Sequence, residues 1–205
     1  MTESYSDLQQ IFQNHTKTKV FTCYDSLNEK SHEIDKRDVV LFYKYYCDTY
    51  FSKDFASWDE LPILGISEKV EKNIPVIGDF ILRYSTEPND IYSTTCINEI
   101  IKIYQETIKR KFELSDNHSE TTCVYLKSKS WYEDGNTCTR LRFHFPYCRV
   151  KKDVVNSVIN PTIVNMLNNS FVTSSFNKNI KGGWSESLKD IGNYVPLYGS
   201  TDKPK

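Results

Sequence analysis

The sequence contains no C-x-x-C pair. Its six cysteines, Cys23, Cys47, Cys96, Cys123, Cys138 and Cys148, are scattered, and the four histidines, His15, His32, His118 and His144, do not cluster with them. That spacing speaks against a structural zinc site. No apolar run reaches membrane-spanning length. The first ten residues, M-T-E-S-Y-S-D-L-Q-Q, are polar and acidic, unlike a secretory signal. The cysteines therefore read as reduced thiols of an intracellular protein with no membrane role. Charge of one sign is lacking too: Lys and Arg total 26 against 27 Asp and Glu, a formal net charge of −1. No global field draws this chain onto nucleic acid, so anion binding has to come from a local patch. There is no internal repeat and no heptad pattern.

What is abundant is aromatic: 14 Tyr and 11 Phe in 205 residues. Aromatics favour strands, which argues against an all-helical bundle. The length suits one large domain, or a domain with a small appendage, able to bury a core without staples.

The pattern along the chain predicts a short strand over 19–23 and a turn over 25–30. Val39, Phe42, Tyr43, Tyr46 and Tyr50 recur at helical spacing behind Asp38, a helix N-cap candidate. Tyr43, Tyr45 and Tyr46 read as core and rim. Residues 51–72 read as loop. The run N-I-P-V-I-G-D-F-I-L-R-Y, 73–84, reads as a central strand, followed by turn chemistry in S-T-E-P-N-D. Residues 95–112 give the clearest helix, with a stripe of Ile97, Ile100, Ile101, Tyr104 and Ile108 and a wet face carrying Lys102, Lys109 and Lys111. A strand over 121–127, a hairpin turn at E-D-G-N and a partner strand follow. A helix over 152–167 is interrupted by Pro161. Residues 168–183 read as loop, and G-N-Y-V-P-L-Y-G-S as a last strand. The expected class is α+β: a mixed or antiparallel sheet with flanking helices, ferredoxin-like in the broad sense.

The segment T-R-L-R-F-H-F-P-Y-C-R-V, 139–150, carries chemistry. Leu141, Phe143 and Phe145 fall on one face; Arg140, Arg142 and His144 fall on the other. In the 73–84 strand, Asp79, Ile81 and Arg83 share a face. Were the two strands neighbours, an acid, a histidine and several arginines would converge. Such a face suits a triphosphate, with arginines for phosphates and a carboxylate for a divalent metal. The plainer alternative makes Asp79 a turn cap beside Gly78 and His144 a satisfied, half-buried histidine. Arg140, Arg142, Arg149, Lys151 and Lys152 form a basic run interleaved with Phe143, Phe145 and Tyr147. Basic groups track phosphates and aromatics stack on bases. The aromatics read as packing groups, the arginines as functional.

The segments I-P-V-I-G-D-F-I-L-R-Y, R-L-R-F-H-F-P and W-S-E-S-L-K-D-I-G-N-Y-V-P-L-Y-G-S-T-D-K-P occur in an order and spacing that resemble the three core motifs of the archaeo-eukaryotic primase superfamily. The nearest likeness is to the N-terminal primase domain of primase-helicases of large nucleocytoplasmic DNA viruses, over about residues 38–205. The resemblance implies an RNA-recognition-motif-like primase-polymerase core acting in viral-type DNA replication, with residues 1–37 an extension packed on it. It implies single-stranded DNA and nucleoside triphosphate as partners, a replicative helicase alongside or in the same longer chain, and a nuclear or viral-factory location. It also implies Mg²⁺ or Mn²⁺ in a two-metal site if the domain is active. Carried over by position, Asp79 is the metal-holding catalytic acid, with His144 and Asp190 as further catalytic residues. Arg83, Arg142, His144, Tyr198 and Ser200 fall on the nucleotide side, and Arg140, Arg149, Lys151 and Lys152 on DNA. Trp184 matches an aromatic of the third motif and reads as a packing anchor for the last strand.

The sequence departs from that pattern on the metal side. Ile81 stands where a second acid is expected, and the acid of the third motif falls near Lys189. Asp190 is next to it, but a one-residue offset in a strand points to the other face. Three readings follow: a degenerate domain that keeps nucleotide and single-stranded DNA binding; an active primase with an altered acidic site that recruits Asp190 or Glu186; and a non-catalytic scaffold on a reused fold.

Overall fold

A computed structural model of the chain describes residues 10, 21–25, 30–34, 38–51, 65–70, 72–85, 94–114, 119–128 and 130–197. The chain divides into two compact units, one formed by residues 1–70 with 192–205, the other by residues 71–191. The class is α+β: every sheet is antiparallel and carries flanking helices.

In the first unit, strands β1 (Phe21–Asp25), β2 (Lys30–Ile34), β3 (Ile66–Lys69) and β9 (Tyr194–Pro196) form a sheet in the order β2-β1-β3-β9. Helix α1 (Val39–Phe51) supplies Phe42 and Tyr46 to a core with Cys23, Ile34 and Ile66; Tyr43 and Tyr45 pack at its margin. The helical spacing of the aromatics thus located this helix. Strand β3 lies in a stretch expected to be loop. Its four residues, I-S-E-K, are too few to show a period, and β1 and β9 define it by pairing on either side.

In the second unit, β4 (Asn73–Tyr84) and β7 (Asn136–Lys151) are the two long central strands, in the order β5-β7-β4-β8. Strand β5 is Val124–Lys127, and β8 is only Leu188–Lys189. The expected hairpin forms between β6 (Trp131–Glu133) and β7, with Asp134 and Gly135 at its tip. Both have positive φ, 51° and 76°, the geometry that an Asp-Gly turn supplies.

One face of this sheet is apolar. Val76, Phe80, Leu82, Leu141, Phe143 and Phe145 are all fully buried. Helix α2 (Thr94–Phe112) lays Tyr104 on that face, stacked on Phe143 with ring centroids 6.1 Å apart. Ile103 is buried where the stripe predicted Ile101, and Lys102 and Lys111 are exposed as expected. Gly78 explains the close fit. A Cβ there would collide with the Tyr104 hydroxyl.

The helix after β7 opens as α3 (Lys152–Val154), passes through a π-helical turn (Val155–Ile159) and continues as α4 (Asn160–Asn169). Pro161 sits in the first turn of α4, where its missing N–H costs little. Asn160 N–H reaches back to the carbonyl of Val155, five residues away. The interruption expected at Pro161 is therefore a widened turn, and the helix does not end there. Of two short helices, α5 (Phe171–Asn177) lies in the stretch expected to be loop, and α6 (Gly183–Ser187) begins at its last residue. Asn- and Ser-rich text hid them, because tertiary packing and not propensity holds them. Trp184 in α6 packs edge-on against Phe80 and donates its indole N–H to the Thr173 carbonyl. It anchors α6 and α5 to the central sheet, a correction to its expected role beside the last strand.

Candidate functional site

The polar face of the same sheet is a lattice of cross-strand neighbours. In β4, Ile77, Asp79 and Ile81 stand opposite His144, Arg142 and Arg140 of β7. On the other side of β4, Asp79 stands opposite Lys189 of β8. Directly paired residues point to the same side, so one row reads Arg142, Asp79, Lys189 across three strands. The sequence expectation that the acid strand and the histidine strand are neighbours is met, and the register is fixed by the buried apolar face behind them.

Asp79 is the centre of this face and is only 8% exposed. Arg140 grips it with two donors, Nε to Oδ1 at 2.8 Å and a terminal nitrogen to Oδ2 at 2.5 Å. Arg142 adds a third contact, 3.3 Å to Oδ2. Burial alone pushes the Asp79 carboxyl up. The hydrogen bonds from Arg140 and the charges of Arg142 and Arg140 outweigh that and hold it below the usual carboxylate range. A bidentate guanidinium pair of this kind is a strong, directional contact.

Ile81 brings no ligand to Asp79, and the residue paired with Asp79 on β8 is Lys189, a cation and not an acid. The Lys189 ammonium donates to the carbonyl of Glu186 at 2.8 Å. Asp190 follows the end of β8 and is exposed, outside any strand; Glu186 is exposed on α6. Among the described residues no three His, Cys, Asp or Glu side chains come together as a cation site. The described residues around Asp79 thus do not suit a two-metal centre, which needs several carboxylates converging on the ions.

His144 is half-buried beside this row. Burial pushes its imidazole down to about 4, and the charges of Arg142 and Arg149 add to the shift. It is neutral at physiological pH, able to donate from one ring nitrogen and accept at the other. Arg83 lies on the same face, opposite Cys138. Tyr198 and Ser200, expected on the nucleotide side, lie outside the described residues.

Beyond Val76 the pairing slips. Val76 stands opposite Phe145 but Pro75 stands opposite Arg149, so Pro146, Tyr147 and Cys148 are extra residues in β7. Here sequence reasoning needs a correction. Phe143 and Phe145 are packed as expected, but Tyr147 is 63% exposed. The bulge turns it out of the apolar register, and strict alternation does not reveal a bulge. Arg149 and Lys151 are also exposed. Arg149 donates to the Asn73 carbonyl at 2.9 Å, and Lys152 N–H to the Lys72 carbonyl at 3.3 Å, so Lys72 joins this end of the sheet.

No helix among the described residues is long and apolar enough to cross a membrane. All six cysteines are free thiols.

Residues 23–205 match the family model described as the C962R protein N-terminal AEP domain. A similar curated protein is named "Putative helicase 121R", from Invertebrate iridescent virus 3. It is 27% identical over 111 residues, a match covering 50% of this chain and 12% of that protein. This chain therefore corresponds to a small part of that relative's length. With the family model spanning nearly the whole sequence, and with an α+β core behind it, the chain belongs to the archaeo-eukaryotic primase superfamily.

Proposed function

We propose that this primase-like domain acts in viral DNA replication by binding nucleotide and single-stranded DNA, and that it has lost primer synthesis. The observation that carries this reading is the state of Asp79. The one acid on the metal side is held by Arg140 and Arg142 and faced by Lys189. A carboxylate neutralised this way has little left to offer a divalent cation. The cations around it suit the opposite partner. Arg83, Arg140, Arg142 and Lys189 against Asp79 and Glu133 leave the described part of this face positively charged, and guanidiniums match phosphate geometry. Neutral His144 fits a hydrogen-bonding role toward a nucleotide in this reading. The relative named as a helicase supports a place beside helicase activity, in the same chain or in a partner.

The test is primer synthesis and extension on a single-stranded template with labelled nucleotides and Mg²⁺ or Mn²⁺, run beside Asp79→Asn. The expected result is no incorporation by either protein, with salt-dependent binding of oligothymidylate and nucleoside triphosphate by the unmodified chain. Incorporation that disappears in Asp79→Asn would instead establish an active enzyme that draws further acids from elsewhere, Asp190 and Glu186 being the nearest in sequence to β8. A chain that neither synthesises nor binds would leave a scaffold on a reused fold.

A further inference from the structure

The bulge in β7 places an exposed aromatic ring at the head of an exposed basic strand. Tyr147, Arg149 and Lys151 are spaced two residues apart, and all three are exposed, while Cys148 between the first two is buried. Successive side chains on one side of a strand are about 6.7 Å apart. Arg149 and Lys151 stand opposite Pro75 and Asn73, so they continue the face that carries His144, Arg142 and Asp79. The influence of Arg149 on the His144 imidazole is the electrostatic sign of that continuity. Lys72 and Lys152 flank the same end. Among the described residues, acids on this side include Asp153, exposed in the first turn of α3, and Glu120, whose charge reaches Cys148. Among the described residues, Lys72, Arg149, Lys151 and Lys152 thus gather at this end of the sheet.

We infer that Tyr147 is a base-stacking residue for single-stranded DNA, with Arg149, Lys151 and Lys72 following the phosphates that lead to the His144 row. The inference rests on the binding reading above and adds where the strand enters and what it touches. The physical grounds are three. An exposed tyrosine in a bulge, at the start of a basic stretch, has no packing role to explain it. Aromatic rings beside a cationic track are how single strands are held without sequence readout. A duplex hides the faces of its bases, so only an unstacked strand offers the ring a partner. The bulge also has a function in this arrangement: without it, residue 147 would continue the apolar register of Phe143 and Phe145.

The experiment is equilibrium binding of fluorescent oligothymidylate, and of an abasic strand of equal length, to the full chain and to Tyr147→Ala, Tyr147→Trp and Lys151→Ala, over a range of salt. Tyr147→Ala is expected to weaken oligothymidylate binding by about 5- to 150-fold, the range for one lost stacked base, and to leave abasic-strand binding unchanged. Tyr147→Trp is expected to restore it. Lys151→Ala is expected to weaken both strands alike and to lower the salt slope by about 0.7. Because Tyr147 is exposed, its removal leaves the core intact, and unchanged melting temperatures check this. Tyr147→Ala binding oligothymidylate as tightly as the unmodified chain, while Lys151→Ala binds weakly, would overturn the stacking role and keep the binding reading. Equal losses toward both strands in Tyr147→Ala would also overturn it. Failure of the unmodified chain to bind either strand at low salt would remove the binding reading itself.

Discussion

Lys189 stands directly opposite Asp79 across the pairing of β4 and β8. Lys189 therefore lies on the same face of the sheet as Asp79, and Arg142 lies there from the other side. Along this row of the sheet one acid stands between two basic residues. Asp79 is also the partner of the buried Arg142 and the half-buried Arg140. Removing one partner of such a group leaves an uncompensated buried charge.

This leads to a prediction about stability. Asp79→Ala should destabilise the folded chain by about 3 kcal/mol, the lower end for a broken buried pair, because Arg140 retains some access to water. Urea unfolding measures it. A change below ~0.5 kcal/mol would mean that the arginines are solvated well enough to stand alone.

Putting acids back should create a cation site. In the double variant Ile81→Asp with Lys189→Asp, three carboxylates share one face with Asp79 at its centre. Titration with Mn²⁺, followed by electron paramagnetic resonance, should show one or two bound ions in that variant and none in the unmodified chain. Stoichiometric Mn²⁺ binding by the unmodified chain, lost in Asp79→Asn, would show that Asp79 is a working ligand after all.

Gly78 and Tyr104 should behave as a matched pair. Gly78→Ala drives a methyl group into the Tyr104 hydroxyl and should cost about 1–3 kcal/mol, the usual range for overpacking. The Tyr104 hydroxyl is buried with no hydrogen-bond partner among the described residues. Tyr104→Phe alone should therefore be neutral or stabilising, and it should recover part of the Gly78→Ala loss. Thermal melts of the four proteins in the cycle decide this. Strict additivity would show that the two residues do not meet.

His144 sets a pH dependence. In the unfolded chain its imidazole takes a proton near the ordinary 6.5; in the folded chain it does so only near about 4. Between those values the unfolded state holds more protons, so stability falls as pH drops through this window. Above 6.5 both states are neutral and the group contributes nothing. Melting temperatures recorded from neutral pH down to about 4 should fall less steeply in His144→Gln than in the unmodified chain. Parallel curves would assign the acid sensitivity to other groups.

Much of the site was legible in the sequence because period-two patterning is local. The alternation in R-L-R-F-H-F assigned Arg140, Arg142 and His144 to one face, and the run from Asn73 to Tyr84 declared a long strand by itself. The helix over Thr94–Phe112 was equally plain, since an apolar stripe of that length has no other reading. Ile81 and Lys189 stood out by identity alone, at or near positions where the resemblance led to an expectation of acids. Pairing belongs to the tertiary structure, and what the sequence left open follows from it. Only the register of β4 with β7 and β8 set Arg142 and Lys189 on either side of Asp79, and only the side-chain geometry gave Asp79 to Arg140. Strands as short as β3 and β8 carry too few residues to show a period, so their neighbours define them. The bulge that exposes Tyr147 is a mismatch between two strands, one residue of β4 advancing while four pass in β7. No single strand records such a mismatch, so a sequence read one segment at a time placed that tyrosine indoors.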